Sequence, residues 1–259
     1  MNKLYKTLTL ALLLTTSAQS NGVTMVDVDI ELQLLVDISG SIDSNEYDMQ
    51  LQGYADAFAS DRLQNAIING TEGQIAVQLI MWSGSSAQDI SIDWTLVDSI
   101  ESANNLALDI AAIARPFAGW TAIGSAIEYA YPLFDSNSFN GTRQVIDISG
   151  DGTNNSGISP AVASQNAINA GVDTINGVVI TQSQPVIDQY LNDVVNGDNA
   201  FLLTPTNFTE FQQSIEDKIV AEIDGSTPAQ AIAVPEPATW LLFSVSSLFI
   251  VMRRFAKEK

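Results

Sequence analysis

Residues 34–41 read LLVDISGS, and the fold turns on how this stretch is read. Leu34, Leu35 and Val36 form an unbroken apolar run, the pattern of a strand buried on both faces. The chain then presents Asp37, Ser39 and Ser41 at alternate positions, with Gly40 letting the backbone turn. Three oxygen side chains therefore gather beyond the carboxyl end of a strand, and in an open parallel α/β sheet that crevice is where ligands bind. Carboxylate and hydroxyl oxygens suit a hard divalent cation such as Mg²⁺, which accepts a shell completed by water.

Outward from this stretch, Val28, Ile30, Leu32 and Leu34 alternate with Asp27, Asp29, Glu31 and Gln33, which predicts one strand over residues 26–37. Ser44 is the expected N-cap of a helix with Tyr47, Leu51, Tyr54, Ala55 and Phe58 at helical spacing. Asp43 beside it adds negative potential without serving as a ligand. Residues 74–83, QIAVQLIMWS, and 89–94, DISIDW, read as two strands. The short link between them implies a hairpin, hence one antiparallel edge strand. Trp82 and Trp94 are expected to pack rather than to bind. Residues 97–114 carry Ile100, Leu106, Leu108, Ile110 and Ile113 on a helix that stops before Arg115-Pro116.

In residues 119–127, GWTAIGSAI, Thr121 precedes a helix expected to run to residue 134. Trp120 beside it reads equally as a rim residue or a buried wedge. Residues 145–152, VIDISGDG, are a second buried strand closing on Gly150-Asp151-Gly152. A helix follows over residues 160–170, with Ser159 as cap and Pro160 in the first turn. A strand at 172–180, a short helix at 185–195 and a strand at 200–203 come next. The last helix starts at Asn207 or Thr209 and carries Phe211, Ile215, Ile219 and Ile223. Such alternation predicts an α/β fold, a doubly wound and mostly parallel six-stranded sheet with one antiparallel edge strand.

Taken together, D-x-S-x-S at 37–41, Thr121 before its helix and Asp151-Gly152 after a strand resemble the metal-ion-dependent adhesion site of the von Willebrand factor type A family, over roughly residues 28–223. The resemblance implies a Rossmann-like fold in which Ser39 and Ser41 bind the metal directly. It further implies that Thr121 binds directly or through water, and that Asp37 and Asp151 act mostly through water. Asp147 lies within its strand and is expected to point elsewhere. The implied cation is Mg²⁺, with Mn²⁺ or Ca²⁺ as alternatives. The implied partner is a protein offering an acidic side chain to an open coordination position.

Composition removes whole classes of chemistry. The chain has no cysteine and no histidine, so disulfides, thiol nucleophiles, zinc–thiolate sites, Ser-His-Asp triads and imidazole shuttles are absent. The net charge is −20. Basic residues cluster at the two ends, leaving Arg62, Arg115, Arg143 and Lys218 in the middle, a surface that repels nucleic acid and anionic membranes. These features favour a binding domain over an enzyme. Two alternatives stay open: a divalent metal that is purely structural in a non-adhesive scaffold, and a hydrolase of aspartic or metal-assisted type. The repeated D-I-S-G suggests paired catalytic aspartates, but its register is wrong for that motif.

The two ends read as addresses. Residues 1–20 have Lys3 and Lys6, an apolar centre and a small-residue finish, the pattern of a secretory signal. Residues 21–223 form the expected domain and 224–233 a linker. Residues 234–259 contain Pro235-Glu236-Pro237, the apolar stretch 240–252 and a basic end, which resemble the PEP-CTERM sorting signal of Gram-negative bacteria. That resemblance implies export through the inner membrane, a membrane-held C-terminal segment before processing by an exosortase, and a periplasmic, cell-surface or secreted product with an adhesion or matrix role.

Overall fold

The computed structural model describes residues 25–234. The signal segment and the Pro235-Glu236-Pro237 sorting motif lie outside the described residues. Among those described, no helix is long and apolar enough to cross a membrane.

The chain opens with β1 (Val26–Val28) and β2 (Glu31–Asp37). The single strand expected over residues 26–37 is thus broken, because Asp29 turns away to accept from the backbone of Glu72 and Gly73. Two helices follow, α1 (Ser44–Ala59) and α2 (Asp61–Ile68), then the hairpin strands β3 (Ile75–Trp82) and β4 (Gln88–Val97). Next come α3 (Ile100–Ala111), α4 (Ile123–Ala130) with a 3₁₀ turn at Tyr131–Ser136, β5 (Phe139–Gly141) and β6 (Gln144–Gly150). The remainder is α5 (Pro160–Ala170), β7 (Thr174–Val179), α6 (Gln184–Gln189) running into a π turn at Tyr190–Val194, β8 (Asn196–Gly197), β9 (Phe201–Leu203), α7 (Phe208–Asp224) and β10 (Ile232–Ala233).

The main sheet has the order β10-β9-β7-β6-β2-β3-β4, with β8 on β7. Its six principal strands are those expected: β9, β7, β6, β2 and β3 run parallel, and β4 is the antiparallel edge. The count rises to eight because two-residue strands, β8 and β10, add antiparallel to β7 and β9. The second of these takes Ile232–Ala233 out of the expected linker. β1 and β5 form a separate parallel pair.

β2 is the centre of this arrangement. The chain leaves it to one side for β3 and later returns to its other side at β6, so the strand order reverses between β2 and β6. That is the switch point where an open α/β sheet offers a crevice. Both faces of β2 are covered, and alternate residues feed two cores. Leu32, Leu34 and Val36 join the cluster under α1, α3 and α7, while Leu35 joins the cluster under α4 and α5.

Several local readings change. Asp43, not Ser44, is the N-cap of α1. It accepts from the Asn45 and Glu46 amides while Glu46 reaches back to the Asp43 amide, a complete capping box. In α3 the buried stripe is Ala103, Leu106, Ala107 and Ile110, leaving Ile100 and Leu108 exposed. Ser159 stands at the N-cap of α5 but makes no capping bond. Of the two starts expected for the last helix, Asn207 is the one that caps α7. Trp82 is fully buried, and Trp94 packs on Phe134 and Phe139.

Candidate metal centre

The carboxyl ends of β2 and β6 lie side by side, and the loops leaving them carry the candidate ligands. The Ser39 amide donates to Asp37 Oδ1 at 2.7 Å, curling the loop back on the strand end. Ser39 Oγ lies 3.1 Å from Ser41 Oγ, and Ser41 Oγ donates to Asp151 Oδ1 at 2.7 Å. Asp37, Ser39, Ser41 and Asp151 therefore form one linked set of oxygens. Thr121, buried at 6 % exposure, joins them through backbone rather than through its hydroxyl. The Gly40 amide donates to Gly119 O at 2.8 Å. The Thr121 amide donates to Asn155 Oδ1, and the Asn155 amide donates to Thr121 O, both at 2.9 Å. Three distant loops thus brace one another.

Asp37 is the buried member. Its Oδ2 has no hydrogen-bond partner. Burial, reinforced by the Asp151 charge and opposed by the Ser39 amide, pushes its carboxyl from 3.8 up to about 7. Burial also raises the Asp151 carboxyl, with Glu46 adding to the effect and the Ser41 hydroxyl opposing it. Two acids and two hydroxyls joined by hydrogen bonds, with an orphaned carboxylate oxygen among them, are oxygen donors of the kind a hard divalent cation takes. Among the described residues no group of three or more Asp or Glu side chains is placed to hold a metal ion.

Asp147 is elsewhere. It pairs in register with Leu34 and faces α7, where it meets Lys218, whereas Asp37 faces Tyr190 on the other side of the sheet. The two D-I-S-G aspartates do not form a dyad. Trp120 is 69 % exposed, so it is not a buried wedge.

Three supporting residues are not evident from the sequence motif. Arg115 donates to Ile38 O, Ser39 O and Ile42 O at 2.8, 2.8 and 2.9 Å, holding the loop between β2 and α1 from behind. Its scarcity as a cation in so acidic a chain was the available signal. Gln50 donates to Asp37 O at 3.1 Å. Tyr190 buries its hydroxyl against Gly150, where an added Cβ would lie 2.3 Å from that oxygen and 3.0 Å from Asp37 Oδ2. Gly150 is thus required by close approach. A surface hollow lined by Asp29, Arg62 and Arg143 lies at the other end of the strands and is not part of this site.

A family model for DUF1194, described as a protein of unknown function, matches residues 27–227. The chain belongs to the DUF1194 family. No curated protein matches it. Among solved structures, the DUF1194 chain is similar to proximal thread matrix protein 1 of the mussel byssus with a zinc-occupied MIDAS motif, at 19% identity and TM-score 0.57, over 77% of this chain and 49% of that one. It is similar to the pilus adhesin SpaC of Lactobacillus rhamnosus GG in its open conformation, at 13% identity and TM-score 0.55, over 79% of this chain and 31% of that one. A von Willebrand factor type A protein from Catenulispora acidiphila matches at 14% identity and TM-score 0.53, over 76% and 43% of the two chains. The DUF1194 chain therefore has a von Willebrand factor type A fold, and it spans about half the length or less of each of these neighbours.

Proposed function

We propose that the chain is a non-enzymatic interaction domain that captures an acidic side chain of a partner protein at a divalent cation. Asp37, Ser39, Ser41, Thr121 and Asp151 would hold the cation. When bound, it would supply a position that accepts an anionic oxygen. The observation that carries this reading is the Ser39–Ser41–Asp151 hydrogen-bonded chain beside the buried, unpartnered Oδ2 of Asp37. A carboxylate in that position, with its pKa raised by burial, gains from a nearby cation. Two of the fold neighbours support the reading by what they are called, one an adhesin and one a matrix protein with a metal-occupied motif of this kind.

A purely structural cation is the weaker alternative, because the three loops are already tied by the Gly40–Gly119 backbone bond and by the two hydrogen bonds between Thr121 and Asn155. Export, exosortase processing and a cell-surface or matrix location are part of the same proposal and rest on the two terminal segments. Calorimetric titration of Mg²⁺, Mn²⁺ and Ca²⁺ into the wild type, Asp37→Ala and Thr121→Ala tests the site. The wild type is expected to bind and both variants to bind at least tenfold more weakly, about 1.4 kcal/mol. Undiminished affinity in both variants would remove the assignment.

A further inference from the structure

The unexplained chemistry lies inside the core, beneath α7. Asp147 of β6 and Asn176 of β7 are register partners, and Lys218 and Glu222 stand one turn apart on α7. Lys218 and Asp147 are fully buried, and Glu222 and Asn176 nearly so. Lys218 Nζ touches Asp147 Oδ1 and lies 2.5 Å from Glu222 Oε1, which also accepts from Asn176 Nδ2 at 3.1 Å. The Phe201 ring sits 5.7 Å from Nζ, and its amide fixes Asn176. The Tyr54 hydroxyl lies near Asp147 and Ser149 without closing a hydrogen bond.

As a plain ion cluster this arrangement is poorly balanced. One ammonium faces two carboxylates, and Asp147 Oδ2 and Glu222 Oε2 have no hydrogen-bond partner. Buried ions repay their desolvation only when such lone pairs are satisfied. An amine held dry against a carboxylate oxygen, with a second acid beside it, is however the composition needed for amide formation.

We propose that Lys218 and Asp147 become joined by a side-chain amide after β6 and α7 have docked. The low-polarity core lets the ammonium–carboxylate pair exchange with the neutral amine and carboxylic acid. The Nζ lone pair attacks Asp147 Cγ, the new C–N bond forms, and the Cγ–Oδ2 bond breaks. Glu222 takes the proton released by Nζ and passes it to the departing oxygen, which leaves as water. Ammonium plus carboxylate thus gives amide plus one water, with no change in oxidation state. Burial places the Glu222 carboxyl at about 7, so it can both accept and give a proton near neutral pH. The neighbouring acids keep Lys218 mostly charged, so the reacting amine is a minor form and the step follows folding. The product neutralises the Lys218–Asp147 pair, leaves the excess acid on Glu222, and ties α7 to β6, the strand that ends at the proposed cation site.

Intact-mass measurement on the denatured wild type, Lys218→Arg and Asp147→Ala tests the link. The wild type is expected to be lighter than its sequence by one water, and both variants to show full mass. Chymotryptic digestion of the wild type is expected to yield a branched peptide joining Asp147 to Lys218. Full mass in a wild type that is folded by circular dichroism would overturn the proposal, whether or not either variant folds. A water loss that persists in Lys218→Arg would overturn it too, since succinimide formation at Asp151-Gly152 would explain the mass. A loss of ammonia instead would move the acceptor to Asn176 and end the Asp147 assignment.

Discussion

At Asp37 a single side chain carries opposite demands. The carboxylate must be buried to sit beneath the loop of Ser39 and Ser41, and burial without a cation raises its pKa to about 7 and leaves Oδ2 without a partner. Asp37→Asn keeps an oxygen for the Ser39 amide and removes the charge. In chelator its melting midpoint is expected to match or exceed wild type by about 2–4 °C, roughly 1 kcal/mol. In excess Mg²⁺ the wild type is expected to rise while the variant stays put. Thermal scans of both proteins, with chelator and with Mg²⁺, check this, and an equal Mg²⁺ response would exclude Asp37 from the donor set. A second case is Tyr190, whose buried hydroxyl has no partner and crowds Gly150. Gly150→Ala should cost about 1–3 kcal/mol by overpacking. Adding Tyr190→Phe should recover part of that, because it removes the oxygen the new methyl meets. Denaturant melts of the two single variants and the double variant measure this coupling.

Among the elements, the loop from β2 to α1 depends on a residue outside it. Arg115 supplies three hydrogen bonds to the carbonyls of Ile38, Ser39 and Ile42 and stacks 5.6 Å from the Tyr47 ring. Arg115→Met leaves those carbonyls unanswered, with an expected loss of about 2–4 kcal/mol in stability. Mg²⁺ affinity is expected to fall roughly tenfold although no ligand is touched, about 1.4 kcal/mol. Calorimetry on the folded variant decides whether this brace matters to the site. The sequence reveals the loop but not the brace. LLVDISGS, GWTAIG and VIDISGDG announce strand ends and helix starts through local pattern, and those elements fall where expected. Arg115, Asn155 and Tyr190 act across long sequence separations, which no local pattern encodes. The same limit explains Glu31 and Gln33. Alternation marks them only as polar positions on either side of Leu32; β2 is covered on both sides, and Glu31 is buried by accepting from Asn137 and the Gly141 amide. In α7 the apolar stripe Phe211, Ile215, Ile219 is legible. Lys218 beside it is buried against Glu222 on the same helix and against Asp147, which waits on a strand far back in the chain.

For the molecule as a whole, the buried acids set how stability varies with pH. Asp37 moves from 3.8, and Glu222 from 4.5, to about 7, and Asp151 is raised as well. In each case the folded state holds its proton more tightly than the unfolded chain. The contribution to stability is therefore largest below the unfolded values and is lost as pH rises toward about 7. The net charge of −20 acts in the same direction, since repulsion grows as surface acids ionise. The two effects separate with salt, which screens surface charge but not Asp37. At high salt in chelator, the melting midpoint is expected to be higher near about pH 5.5 than near about pH 8, and Asp37→Asn should flatten part of that slope. Divalent cation reverses the trend, because its ligands must be deprotonated. The Mg²⁺-induced rise in midpoint should be large near about pH 8 and small near about pH 5.5, where Asp37 carries a proton. Midpoints measured across that range with chelator and with Mg²⁺ check both arms. An Mg²⁺ response independent of pH would show that the cation does not engage the buried carboxylate at all.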